Sequence, residues 1–443
     1  MSRLAIILTL AALSTSSAIF AGNATQAVPE YDATLKTHAQ LPAQSFVLPP
    51  KNAPLYFNQS GRFTAKDNHR MSTAYGIYDD VTKLARPFPG QPLQGFSGIR
   101  SLGNNQFLVL TDNGFGTKAN SPDAMLMFHE ITADWKSGRV IIDKTTFLSD
   151  PNNKVPFPII DETGKQRYLT GADFDIESIQ PVSDGYWFGD EFGPWLLKTN
   201  KNGVIQNVIA TQIDETLYTS PDNAFVKLAN PGKDAPPIIT KRSGGYEGMA
   251  ISRDGKTLYP LLEKPVYDAN TAASETINGQ PVLRILAFDN VKQQWKDSIR
   301  YYPLAAASHA IGDFNMIDAH RALIIERDSG QGDPREGWAP NPAQFKRIYL
   351  IDLREVDEKN VLRKIAYIDL MKIKDPDGIA PRGTQDGIFS FPFVTIEDVD
   401  RVDEETIIVA NDNNYPFSVG RQQGRADDNE FILLNVANFL KAK

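Results

Sequence analysis

The stretch FDIESIQPVSDGYWFGDE, Phe174 to Glu191, decides how the rest of the chain is read. Two apolar runs flank Ser183-Asp184-Gly185, which has the composition of a tight hairpin turn. Glu177 opens the first run, and Asp190 with Glu191 closes the second. The same pattern recurs elsewhere. Openings stand at GFSGI around Ser97, YEGMA around Glu247, IGDFN around Gly312 and TIEDV around Glu397. Matching second halves are FLVLTDN ending on Asp112, LYPLLEK on Glu263, ALIIERD on Glu326 and IIVANDN on Asp412. A unit of this kind cannot bury its apolar face alone, so the copies must stack or close into a ring.

Short β-branched and aromatic runs alternate with Gly, Asn, Asp and Pro clusters from Leu55 onward, and helical periodicity is nearly absent. The fold expected is all-β, a β-propeller whose ring is closed by terminal strands. Five clear units, plus one assembled from the N-terminal portion and a terminal strand, give six blades, with seven as the alternative. The openings at 97, 177, 247, 312 and 397 are 80, 70, 65 and 85 residues apart by subtraction, long for bare blades. Loops are therefore expected at 150–171, 214–243, 266–280 and 329–343. The domain plan is a signal peptide over 1–21, a polar leader or edge strand over 22–54, and one propeller over 55–443. In the signal peptide Arg3 precedes an apolar run from Leu4 to Leu13, too short for a permanent membrane span, and cleavage can follow Ala18, Ala21 or Ala24.

Hairpin closure brings the start of a first strand beside the end of the second. In a propeller these edges converge on one mouth of the axial channel. The expectation is a ring of carboxylates: Asp112, Glu177, Asp190, Glu191, Glu247, Glu263, Glu326, Glu397 and Asp412. Crowded carboxylates raise one another's pKa unless a cation neutralises them. Calcium suits such a site, because it accepts several oxygen ligands in flexible geometry. Asn113, Asn411 and Asn413 can add neutral oxygens. An acid at a strand end can also simply cap loop amides or pair with Arg100, Lys264 or Arg327 nearby. A net charge of -8 and pI near 5.3 argue against nucleic acid or an anionic membrane as partner. The expected partner is a small organic phosphate or other ester, without membrane insertion, and the chain is expected to act as a monomer. The chain has no cysteine, which excludes disulfides, thiolate nucleophiles and cysteine-bound zinc. Export to the periplasm or medium is the expected location.

The segments GFSGI, LTDNGFG, FDIESI, GDEFGPWL, GGYEGMA, LLEKP, IIERDSGQGD, TIEDVD and VANDNNYPFSVGR spread from about Gln94 to Phe431. Together they resemble the bacterial family named for the esterase-like activity of phytase. The likeness implies a β-propeller and phosphoester hydrolysis. Under that implication calcium sits on Glu177, Glu191, Glu247, Glu397 and Asp412, lowering the pKa of a bound water. Arg327 and Lys264 clamp phosphate, with Arg100 and Arg421 as further substrate contacts. Glu263 or Glu326 serves as general base or acid, and His309 is another acid/base candidate.

Other chemistries lack their motifs. The serine of GFSGI is misplaced for a nucleophile elbow, and HExxH and P-loop patterns are absent. Alternatives are a non-catalytic binding propeller with structural calcium, or a metal-dependent lactonase or carboxylesterase.

Overall fold

Each apolar hairpin of the sequence is the inner half of a four-stranded antiparallel sheet. The computed structural model describes residues 27–63, 77–78, 81–228, 237–268 and 270–443; the expected signal peptide lies outside them. The first unit runs Phe96–Gly103, Gln106–Thr111, Met127–Asp134 and Arg139–Phe147. The second runs Ile176–Val182, Gly185–Asp190, Trp195–Asn200 and Ile205–Ala210. In the third, Tyr246–Ile251 and Thr257–Leu262 are followed by two outer strands, each broken in two. The fourth comprises Ala310–Met316, Arg321–Arg327, Lys346–Val356 and Leu362–Asp369. Asp398–Arg401, Thr406–Ala410 and Asn429–Asn435 begin the fifth.

The five first strands touch in cyclic order, and the fifth returns to the first. Apolar packing follows the same circle. Phe128, Ile179 and Phe188 pack between units one and two, and Trp187, Met249 and Phe288 between two and three. Leu261, Phe314 and Ile324 fill the next junction, then Leu323, Val399 and Ile407, then Phe96, Val109 and Phe431. Each buried aromatic of this kind contributes ~1.5–3 kcal/mol relative to exposure. The molecule is an all-β propeller.

Among the described residues there are five such units, where six were expected. The reason is the fate of the N-terminal segment. Thr34–Leu41 pairs antiparallel with Asn429–Asn435 and completes the fifth sheet instead of seeding a sixth. Three strands from the C-terminal part would otherwise leave an open edge able to pair with another chain. Part of the expected leader thus belongs to the ring, which is closed by terminal strands as expected.

Five inner strands make a narrow ring, and two glycines show how narrow. A Cβ on Gly312 would lie 2.3 Å from the Ile396 carbonyl oxygen, and one on Gly248 would lie 2.8 Å from Phe314 Cβ.

Candidate functional site

Successive strand side chains point to opposite faces, so which acids meet at the mouth is a question of register. The inner hairpins shift register between Phe96 and Ile99, Ile176 and Ser178, Tyr246 and Gly248, and Ile311 and Phe314. Glu177 and Glu247 are the extra residues of two such β-bulges, released from the ladder and re-aimed. Glu397 holds the corresponding place in the fifth unit, just ahead of Asp398.

The second strands end alongside. Asp112 N–H donates to Gly95 O at 2.9 Å, Glu191 N–H to Asp175 O at 2.8 Å, and Glu263 N–H to Gly245 O at 2.8 Å. Arg327 takes this position in the fourth unit, paired with Ala310. Asp412 takes it in the fifth, where Thr395 Oγ1 donates to its Oδ2 at 3.2 Å. One mouth therefore gathers Asp112, Glu177, Glu191, Glu247, Glu263, Glu397 and Asp412 around Arg327, and all but the half-buried Asp112 are buried.

Arg327 Nη2 lies 2.6 Å from Glu397 Oε1 and 3.9 Å from both Glu247 Oε1 and Glu263 Oε1. Lys264 Nζ is 2.9 Å from Glu263 Oε2 and donates to the carbonyls of Arg242, at 3.1 Å, and Ser243. The two cations leave most of the acids uncompensated. Asp175, Glu177 and Glu191 each bring one carboxylate oxygen within 4.8 Å of the others. Among the described residues, Asp175 Oδ1, Glu191 Oε1 and Glu247 Oε1 have no hydrogen-bond partner.

Burial lifts Glu177 well above the usual carboxylate range, and Asp175 and Glu247 push it further. Glu191 is raised by burial, then by Glu263 and Asp175; Glu247 by burial, then by Glu397 and Glu263. Asp112 and Asp412 rise for the same reasons, burial first. Burial brings Asp175 to about 6 against hydrogen bonds with Glu177 and Asn113 that lower it. Glu397 is raised by burial although Arg327 opposes the shift. Burial disfavours the Arg327 cation, yet Glu397, Glu247 and Glu263 hold it charged. Protons, or a cation, must offset the repulsion among these groups.

Several expected site residues lie elsewhere or have their oxygens committed to other partners. Asp190 and Glu326 precede the mouth position by one residue and so face the other side of the sheet. Asp190 accepts from Asp175 N and Gly193 N, both at 2.7 Å, and shapes the loop. Glu326 accepts from Tyr302 Oη at 2.8 Å, Ala305 N at 2.7 Å, His309 Nδ1 at 2.9 Å and Lys364 Nζ at 2.5 Å. These bonds occupy both Glu326 and His309 between the third and fourth units. Asn113 Oδ1 accepts from Phe115 N and Gly116 N, and Asn413 Oδ1 accepts from Gly95 N at 3.1 Å. Asn411 Oδ1 accepts from Glu430 N at 2.7 Å. The three asparagine oxygens thus tie backbone. Arg421 is locked onto Glu430 by two 2.8 Å bonds, between Phe389 and Phe393. Arg100 pairs with Leu108, toward the hairpin turn and away from the mouth.

Asp175 escaped the sequence reading. Aligned on the bulges, its counterparts are Gly95, Gly245, Ala310 and Thr395, so an acid where the repeat otherwise keeps small residues was the available signal.

Residues 91–415 match the family described as Phytase-like: Esterase-like activity of phytase. An uncharacterized secreted protein of Arthroderma benhamiae is 33% identical over 109 residues, spanning 20% of this chain and only 19% of that protein. A luciferin-regenerating enzyme structure covers 77% of this chain and 91% of its own, at 8% identity and TM-score 0.31. A putative 6-phosphogluconolactonase from Bacteroides uniformis covers 77% and 90%, at 11% identity and TM-score 0.30. No helix among the described residues is long and apolar enough to cross a membrane.

Proposed function

The chain belongs to the phytase-like family, and from that premise we propose that it is an exported, calcium-dependent hydrolase acting on small organic phosphoesters at the acidic mouth. One observation carries the cation: Asp175, Glu177 and Glu191 hold oxygens within 4.8 Å of one another, and two of these residues have an unpartnered buried oxygen. Hard oxygen donors of this kind fit calcium. When bound, the ion supplies Lewis-acid charge opposite a substrate phosphate. The secreted relative supports export, and the periplasm or the medium is the location we assign.

The chain's own residues divide the remaining work. Arg327 presents a guanidinium that stays charged, the group suited to hold phosphate oxygens. Glu263, fixed between Arg327 and Lys264, is positioned to take a proton from a nucleophilic water. Lys264, about one-third exposed, orients Glu263 and can meet the substrate from the solvent side.

The test is release of phosphate from chromogenic esters with calcium, with chelator, and in Glu177→Gln. Calcium-restored turnover that falls at least tenfold in the variant supports the proposal. Near-complete burial of most mouth acids favours a second reading, a structural cation in a binding propeller. Thermal stabilisation by calcium with no turnover of any phosphate ester or lactone selects that reading.

A further inference from the structure

We propose that the opposite end of the propeller axis carries a second site, which binds a small organic oxyanion, a phosphate or a carboxylate, with a short apolar tail. The first-hairpin turns rim this end, and two adjoining hollows of about 650 and about 370 Å³ open there. Arg100, Arg253 and Met316 line both. Arg401, from the fifth unit, lines the smaller one. Three units thus each send one guanidinium to the same place.

The donors are only partly used. Arg100 Nη1 donates to Asn315 Oδ1 and, at 3.2 Å, to Asp400 Oδ1, while its buried Nε has no partner. Arg253 is exposed, makes one 3.5 Å bond to Ile317 O, and forms no ion pair among the described residues. Arg401 donates to two carbonyls, of Asp403 and Ile317, both at 2.8 Å.

Most acids nearby are already committed. Asp400 takes Arg100 and Ser101 N, Asp254 takes Ser252 Oγ and Lys256, and Asp318 takes Arg321. Asp403 accepts from Glu405 N, and Glu404 stands exposed. An oxyanion that offers two oxygens to one guanidinium, as carboxylate and phosphate both do, is the complement of such forked donors. Val182, Ile251 and Met316 in the wall of the larger hollow supply the surface for an apolar tail.

The site is independent of the acidic mouth, and the experiment separates them. Butyl phosphate and pentanoate are each titrated calorimetrically into the full chain with chelator present, and into Arg253→Gln and Glu177→Gln. Saturable binding of either probe is expected, and the tighter one identifies the headgroup. Arg253→Gln, a change at an exposed residue that the fold tolerates, weakens binding about tenfold, whereas Glu177→Gln leaves it unchanged. Absence of saturation for both probes at about 10 mM overturns the proposal. So does binding that survives Arg253→Gln and disappears in Glu177→Gln, since the anion would then sit at the other mouth.

Discussion

Arg327 sets the charge balance of the acidic mouth, because among the described residues it alone faces Glu397, Glu247 and Glu263 together. Removing one partner of a buried charge cluster strands the others, at a cost of ~3–5 kcal/mol. Arg327→Met in chelator is therefore expected to lose roughly that amount in urea unfolding, and millimolar calcium to recover part of it. An unchanged midpoint in chelator would show that the acids are already neutral. Asp313 gives a second test, away from the proposed ligands. Burial raises it to about 7 in spite of amides donated by Val399, Ile99 and Phe314. Its folded pKa exceeds the unfolded value of ~3.9. Its stabilising contribution is therefore complete below pH ~4 and is lost as pH climbs through about 7. Asp427, also raised by burial to about 7, has the same sign. Glu430 has the opposite sign: burial acts upward, but Arg421 and His38 hold it at about 2, so its contribution fades only in acid. Melting temperature should thus decline from pH 5 to pH 8, and Asp313→Asn should flatten the decline. A variant with the wild-type slope refutes the assignment. At this scale the sequence revealed which residue types cluster but not their parity. Asp190 and Glu191 are neighbours in the chain, and only the bulge at Glu177 determines which of them turns into the mouth.

At the level of the strand, the bulge is the device that makes a site from a repeat. A regular ladder would leave Glu177 and Glu247 in the alternation of their strands; the extra residue swings them out of it. Beside the bulges the neighbouring inner strands approach closely, which is where Gly312 enters. Gly312→Ala would place a methyl 2.3 Å from the Ile396 carbonyl, and the two strands must then part. A loss of ~1–3 kcal/mol is expected, as for other overpacked positions. Calcium affinity should also fall, because Glu397, which follows Ile396 directly, pairs with Arg327 and with it sets the charge around Glu177 and Glu191. Chemical unfolding and calcium titration of the same variant check both. If stability drops with calcium affinity intact, the inner ring does not govern the site. The apolar hairpins and their turns were legible in composition. The strand direction of Arg100 was legible too, four residues past Phe96 and near the turn, but proximity in sequence to GFSGI drew it to the wrong end. Asp175 is hidden in the sequence because it departs from the repeat: Gly95, Gly245, Ala310 and Thr395 hold its place in the other units.

For the whole molecule, closure of the ring is the step most remote from local sequence. Nothing in Thr34–Leu41 announces a partner almost four hundred residues away; the pairing follows from the edge that Asn429–Asn435 would otherwise expose. A polar leader and a ring strand look alike until that edge is counted, and the expected sixth unit came from this ambiguity. Side chains secure the seam. His38 Nε2 lies 3.0 Å from Glu430 Oε2, and Arg421 grips the same carboxylate. Ala39 and Leu41 pack with Phe431 in the core between the fifth and first units. Deleting residues 1–41 therefore removes a strand, opens one of five apolar junctions and leaves Glu430 short of a partner. Because each unit is stabilised by both neighbours, the loss propagates around the circle. The truncated chain is expected to aggregate or to lose its cooperative thermal transition. His38→Ala, which keeps the strand, should cost only ~1–3 kcal/mol and retain a single transition. Equal midpoints for full and truncated chains would mean that the ring stands without its terminal strand, and the five-unit closure argued from Thr34–Leu41 would fail.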